Sequence, residues 1–324
     1  MEGEEKGIVC VTGGSGFVGS WLIKKLLHHG YRVRTTVRAS SGDNQDRSYL
    51  TNLPGASERL KIFNADLNQP ESFLEVLKGC TGVFHVAHPV GFLEKEPEEA
   101  TNERTVRATR GLLQACLDSK TVKRVVYTSS AFTVMYNEKI SGTIDESNWT
   151  DIDYVRALNP FGASYIISKT LAEREALEFA EANGLALVSL IPPMVIGPFI
   201  CPHCPGSIYT ALAVFFGDVD QYKHLVRTSM VHVDDVASAH IFLLEQPDVR
   251  GRYICSPLEV TVNMISEFLS AKYPEYSIPK ADLSKSNYPG LSSKKLLDSG
   301  FKFKYGFEEM FDGAIQSCKE KGFF

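Results

Sequence analysis

The 324-residue chain is 44% hydrophobic and 23% charged, the composition of a globular protein with room for one large α/β domain or a core with a smaller lobe. Its net charge of -5 argues against the basic face of a nucleic-acid binder, and no apolar run approaches the ~20 residues of a bilayer span. The acidic start Met1-Glu2-Gly3-Glu4-Glu5-Lys6 lacks the basic residues of a secretory or organellar leader, so a cytoplasmic protein is expected. Seven cysteines, an odd number spread along the chain, do not form a disulfide framework. Cys201-Pro202-His203-Cys204 is the only close pair, and a zinc site would need a second pair at similar spacing, so no metal is expected.

Ile8-Val9-Cys10-Val11-Thr12 reads as a strand buried on both faces. Gly13-Gly14-Ser15-Gly16-Phe17-Val18-Gly19 follows and opens a helix whose apolar residues Val18, Leu22, Ile23, Leu26 and Leu27 recur at helical spacing. A strand, a glycine turn with glycines at 13, 16 and 19, and a helix form the fingerprint of a dinucleotide site. The turn lets backbone approach a pyrophosphate, and the helix N-terminus supplies amides and partial positive charge. The second strand, Arg32 to Val37, ends in Arg38 where an NAD site usually places an acid. A guanidinium there favours a 2′-phosphate, hence NADPH, unless Arg38 is simply a solvated arginine.

Leu60 to Asn64 is a third strand, with Ala65-Asp66-Leu67 at its end. Asp66 is read as an adenine contact, with capping of a helix near Pro70 as the alternative. Val83 to Ala87 is a fourth strand, placing Val86, Ala87 and His88 at its carboxyl end. The charge run from Glu94 to Glu99 opens a helix to about Ser119. Arg124 to Thr128 is a fifth strand ending in Ser129-Ser130, and Leu185 to Ile191 a sixth, stopped by Pro192-Pro193. A serine at such an end can donate to a substrate carbonyl, or merely bond its own turn. Asn137 to Asn159 reads as a surface loop, and the acids of His232-Val233-Asp234-Asp235 as caps of a following helix. Gly251 to Cys255 is a further strand. The alternation of strand and helix predicts a doubly wound parallel sheet, a Rossmann-like α/β fold. Residues 6–191 with about 229–256 are assigned to this domain, and about 192–228 with 257–324 to a smaller lobe closing over the sheet's carboxyl edge.

Tyr165 and Lys169 stand four apart at the start of a helical run and therefore share one face. A nearby ammonium favours phenolate and would pull the phenol's ~10 toward the working range, as proton transfer to a carbonyl oxygen requires. With the dinucleotide-type glycine turn upstream, the pair points to an enzyme.

With these residues in hand the chain resembles the extended short-chain dehydrogenase/reductases, and within them the plant dihydroflavonol-reductase group. The stretches that carry it are Val11 to Trp21, Tyr127 to Ala131, Tyr165 to Glu173, Val195 to Phe199 and Val231 to Ala237. Thr51 to Glu58 and Ala271 to Tyr276 are similar to the vestitone reductases of that group. The resemblance implies NADPH, a catalytic serine just before the alanine (Ser130, not Ser129), Tyr165 as proton donor, and Lys169 on the nicotinamide ribose. It also implies Pro192 and Val195 as cofactor contacts. A flat polycyclic substrate, flavonoid or alkaloid, would lie against wall residues His88, Phe92, Met135, Phe161, Phe199 and Tyr209. His88 replaces the small hydroxyl residue usual after the fourth strand, and Met135 a polar residue often found five positions past the serine. Asn159-Pro160-Phe161-Gly162-Ala163-Ser164 before the tyrosine departs from the reductases of CoA thioesters. Two other classes share parts of the pattern: nucleotide-sugar epimerases or dehydratases with tightly held NAD, and NADP(H)-sensing proteins without catalysis. Monomer and homodimer both remain open.

Overall fold

Val9, Cys10 and Val11 are wholly buried, and the alternation of a strand sends them to opposite sides of one sheet. Val9 and Val11 join one apolar cluster while Cys10 joins another, so this strand has core on both faces. It is the centre of the fold in the computed structural model, which describes residues 6–38, 46–89, 96–222, 225, 227–274 and 289–323.

In chain order the elements used below are β1 (Lys6–Thr12), α1 (Phe17–His28), β2 (Tyr31–Val37), β3 (Leu60–Asn64), β4 (Gly82–His85) and α2 (Glu98–Asp118). They continue with β5 (Arg124–Thr128), α3 (Ala163–Asn183), β6 (Leu187–Ile191), β7 (Met194–Ile196), β8 (Arg227–His232) and α4 (Val233–Glu245). The last are β9 (Gly251–Ile254), β10 (Leu258–Thr261), α5 (Val262–Lys272) and α6 (Phe307–Glu320). Seven strands form one sheet in the order β3-β2-β1-β4-β5-β6-β9, every neighbouring pair parallel. The order reverses between β1 and β4, and in such sheets a crevice opens at that switch point beyond the carboxyl ends. Helices α1 and α4 cover one face, α2 and α3 the other.

A second, three-stranded sheet runs β10-β8-β7, with β7 parallel and β10 antiparallel to β8. Its strands are short and its pairings non-local, and strands this short leave only a weak periodic signal. The sheet shares a separate cluster with α5 and α6, built on Ile196, Met230, Val260, Ile265, Phe311 and Ile315. β8 thus pairs outside the large sheet, although its second half lies in the stretch assigned from sequence to the large domain.

Two local readings are corrected. The stretch from Asn137 to Asn159 is not all loop: Asp151 caps a helix over Ile152–Leu158, accepting from the amides of Asp153 and Tyr154. The acids at 234 and 235 do not cap α4; the His232 ring does, accepting from the Asp234 amide at 3.0 Å. Asp234 instead takes Trp21 Nε1 (3.0 Å) and Lys25 Nζ (2.5 Å) of α1, and Asp235 the amides of Lys304 and Tyr305. Both acids tie α4 to segments distant in sequence. No helix among the described residues is long and apolar enough to cross a membrane.

Candidate active site

The glycine turn lies at the carboxyl end of β1. Gly13 has φ +71°, and a Cβ there would stand 3.0 Å from Ala87. At Gly19 a Cβ would come within 2.3 Å of the Gly13 carbonyl oxygen, so that position of α1 admits only glycine. α1 begins after Gly16 with no side-chain cap and no acid in its first turn. Its positive end is therefore open to an anion, beside the half-buried Ser15, Phe17 and Val18. Val86 and Ala87 follow β4 on the facing side, and the Ala87 amide is held at 3.0 Å by Thr12 Oγ1. These features fit the pyrophosphate of a dinucleotide.

At the adenosine end, β2 and β3 pair Val37 with Asn64, so Arg38 and Asp66 flank neighbouring strand ends. Arg38 is exposed there. Asp66 is half-buried and caps no helix; its Oδ1 accepts the Asn68 amide at 2.9 Å in a local turn. Leu67 is buried in the cluster beneath α2. At the far end Pro192 accepts the Ala131 amide at 2.9 Å, and the buried Val195 accepts Ser207 Oγ at 2.7 Å.

The tyrosine helix starts cleanly. Asn159 (φ 44°) ends the preceding helix in the left-handed region, and Gly162 (φ 78°) opens α3. Two turns then carry Tyr165, Ser168, Lys169 and Glu173 along one side. Tyr165 is hydrogen-bonded to the side chain of Ser130, which bridges the helix to the end of β5. Ser129, its neighbour, points away and donates to Glu173 Oε2 at 2.8 Å. The two neighbouring serines therefore serve different partners, Tyr165 and Glu173.

The expected lowering of the phenol is not found. Burial pushes Tyr165 up to about 12, and the Ser130 hydrogen bond only partly opposes it. Lys169 Nζ donates to the Thr128 carbonyl at 3.0 Å, and burial lowers it to about 8, with Glu173 opposing. The phenol is therefore held as an acid, which is the form that gives a proton away.

His88 lies against the same tyrosine. Its ring meets Tyr165 edge-on at 5.6 Å between centroids, and Nε2 stands 3.2 Å from Ser168 Oγ. Burial, with Lys169, holds the imidazole well below its ordinary range, so it is neutral. Phe132, not singled out from sequence, packs edge-on to Tyr165 at 6.2 Å from the turn after Ser130. Its place two residues past the serine is the only signal that could have found it.

The other wall residues divide. Met135 is half-buried and packs on the Val134, Ile144, Ile191 and Ile254 cluster. Phe161 is 47% exposed just before α3. Phe199 is buried in the small-sheet core, edge-on to Phe17 at 6.4 Å, and is packing rather than an open wall. Tyr209 is largely exposed, stacks on Phe216 and donates to Asp218 at 2.9 Å, so its hydroxyl is already engaged. Phe92 lies outside the described residues. Among the described residues no group of three His, Cys, Asp or Glu side chains could hold a metal.

Comparison with known proteins places this arrangement. The model of the NAD dependent epimerase/dehydratase family matches residues 9–254. The chain belongs to this family, as an extended short-chain dehydrogenase/reductase. It is 53% identical to vestitone reductase of Medicago sativa over 99% of both chains. The crystal structure of alfalfa vestitone reductase superposes with a TM-score of 0.88, covering 98% of this chain and 100% of that one at 51% identity. Dihydroflavonol 4-reductase of Zea mays is 46% identical, over 98% of this chain and 90% of that protein. Noscapine synthase SDR1 of Papaver somniferum is also 46% identical, over 100% and 95%. The protein is an oxidoreductase, and the expected doubly wound fold is the one observed.

Proposed function

We propose that the protein is an NADPH-dependent reductase of a carbonyl or iminium-like carbon on a polycyclic plant metabolite, a flavonoid or an alkaloid. The observation that carries this is Tyr165 hydrogen-bonded to Ser130 on a helix that also presents Lys169, across the crevice from an uncapped glycine turn. The relatives named for vestitone, dihydroflavonol and noscapine support both scaffold classes.

NADPH, when bound, supplies the hydride. Gly13, Gly16 and Gly19 with the first turn of α1 would hold its pyrophosphate, Arg38 its 2′-phosphate, Asp66 its adenine, and Lys169 its nicotinamide ribose. Ser130 donates a hydrogen bond to the substrate oxygen and fixes it beside the phenol. Tyr165 gives its proton to that oxygen as negative charge develops, a contribution of about 10²–10⁴ in rate. The high phenol value keeps the acid loaded at neutral pH. Lys169 holds positive charge nearby as the phenol is deprotonated. His88, neutral and edge-on to Tyr165, forms pocket wall and offers a hydrogen bond to the substrate rather than a proton relay. An exposed arginine at the end of β2 speaks against the epimerases' NAD, which an acid at that position would favour. Seven cysteines with no disulfide support a cytosolic site of action.

The test is NADPH consumption by the purified protein against vestitone, a dihydroflavonol and a panel of alkaloid carbonyls, with NADH as control. Turnover of any with NADPH, abolished in Tyr165→Phe while NADPH still binds, is the expected result. Undiminished turnover in Tyr165→Phe would overturn the assignment. His88→Ala should change the ranking of the panel and leave the acid unaltered.

A further inference from the structure

Beneath the crevice lies a charged pair that the proposed chemistry does not use. Glu173 is fully buried on α3, one turn past Lys169 and two past Tyr165. Arg252, 6% exposed on the edge strand β9, reaches it with Nε to Oε1 at 3.0 Å and Nη2 to Oε2 at 3.1 Å. Ser129 Oγ (2.8 Å) and Ser189 Oγ (2.5 Å) donate to the same carboxylate, so both oxygens are satisfied twice.

The guanidinium is tied as fully. Nη1 donates to the carbonyls of Glu146 (3.0 Å) and Asn148 (2.6 Å), Nη2 to Thr133 Oγ1 (3.1 Å), and the plane lies over Trp149 at 3.5 Å. Thr133 Oγ1 in turn donates to the Ser130 carbonyl at 2.9 Å. One ion pair therefore grips the serine turn from two sides and the tyrosine helix from beneath. A buried pair is a poor source of net stability, since desolvation offsets the attraction, and its retention needs another reason.

We propose that Glu173 and Arg252 are positioning residues for the Ser130, Tyr165 and Lys169 set, locking the serine turn to the tyrosine helix and supplying a fixed negative charge beneath Lys169. The pair touches neither substrate nor cofactor and acts only through those three residues. The other groups around Lys169 cannot supply that charge. His85 and His88 on the β4 side are held neutral by burial, and His240 of α4, reached through Thr128, likewise. Tyr127 of β5 is buried and held as the neutral phenol, and Arg104 of α2, which acts on His88, is itself a cation. Glu173 is the group that opposes the effect of burial on Lys169.

The proposal rests on Tyr165 and Lys169 being the proton-delivery pair, and its test is chosen to fail separately. Lys169 is followed by ¹³Cε-lysine NMR titration of the intact protein, assigned by its loss in Lys169→Met. Glu173→Gln strands the guanidinium, so the neutral pair Glu173→Gln/Arg252→Gln is made beside it. In both, the Lys169 titration should fall by roughly half to one pH unit. In the neutral pair, kcat for whichever panel substrate is turned over should drop about tenfold or more, with the NADPH Kd within about twofold. Arg252→Lys keeps the charge and loses the fork, so its titration should stay in place while kcat falls. An unmoved Lys169 titration in the neutral pair would overturn the proposal even with Tyr165→Phe inactive. If Tyr165→Phe and Lys169→Met keep turnover, the reading beneath it fails instead.

Discussion

Lys169 Nζ rests on the backbone carbonyl of Thr128, 3.0 Å away, two residues before Ser130. The ammonium is thereby anchored to the strand that carries the serine, and burial lowers it to about 8 from the usual ~10.4. At neutral pH it is charged in both folded and unfolded chains, but desolvated only in the folded one. Folded protein therefore loses this proton at lower pH than unfolded protein, and stability from this group rises as pH climbs from about 8 toward the free lysine value. Lys169→Met should accordingly gain roughly 1–2 kcal/mol of stability at pH 7, after the lost Thr128 hydrogen bond is subtracted, while turnover collapses. Urea unfolding beside a steady-state assay reads both; a destabilised, active variant would contradict the placement.

The glycine turn gives a sharper steric expectation. A Cβ at position 19 would lie 2.3 Å from the Gly13 carbonyl oxygen, a backbone atom that cannot swing aside. Gly19→Ala should shift the turn and weaken NADPH binding by at least about tenfold, some 1.4 kcal/mol. Quenching of tryptophan fluorescence by added NADPH measures this, and wild-type affinity would remove the turn from the cofactor site.

Cofactor choice is expected to follow Arg38. Its exposed position past the end of β2 leaves the guanidinium free to pair with a 2′-phosphate. Arg38→Glu should cut kcat/KM with NADPH about a hundredfold or more and improve NADH, because an acid there hydrogen-bonds a 2′-hydroxyl and repels a phosphate. Equal losses with both cofactors would point to a structural role for this arginine.

Acid should weaken the fold through its buried histidines, His240 and His85 among them. The Val236 carbonyl can only accept, so His240 Nδ1 carries the proton and Nε2 accepts from Thr128 Oγ1 at 2.7 Å. His85 Nδ1 stands 3.0 Å from Thr12 Oγ1, the hydroxyl that also accepts the Ala87 amide. Burial holds His240 at about 4 and His85 at about 3, below the imidazole's free ~6.5. Between pH ~6.5 and 4 the unfolded chain takes up protons that the folded chain refuses. Their stability contribution is thus full above pH ~6.5 and is lost as pH falls, by up to ~1.4 kcal/mol per pH unit for each ring. Urea midpoints at pH 7, 5.5 and 4.5 should fall in that order, and His240→Gln should flatten the trend only in part, because burial also depresses His85, His88 and His232; a pH-independent midpoint would refute the neutral-ring assignment.

The parts of this protein legible in the sequence are those fixed by local rules. The β1 run, the glycine turn and α1 are contiguous, and the steric demands at Gly13 and Gly19 are written into adjacent residues. Tyr165 and Lys169 share a face because a helix repeats every 3.6 residues, and the alternation of strand and helix already implies a parallel sheet. Only the tertiary structure decided what depends on residues far apart in the chain. Burial sets the ionisation of Tyr165 and Lys169, and it reversed the expected direction for the phenol. Phe199 is core because α6 and the small sheet enclose it, and Asp234 and Asp235 are tethers because α1 and residues 304–305 come to them. Cys204, paired in sequence with Cys201, has its thiol beside Cys318 instead. Glu173 and Arg252 lie 79 positions apart, and no spacing rule joins them. Local conformation is a property of neighbouring residues, whereas desolvation and long-range pairing exist only once the chain has closed on itself.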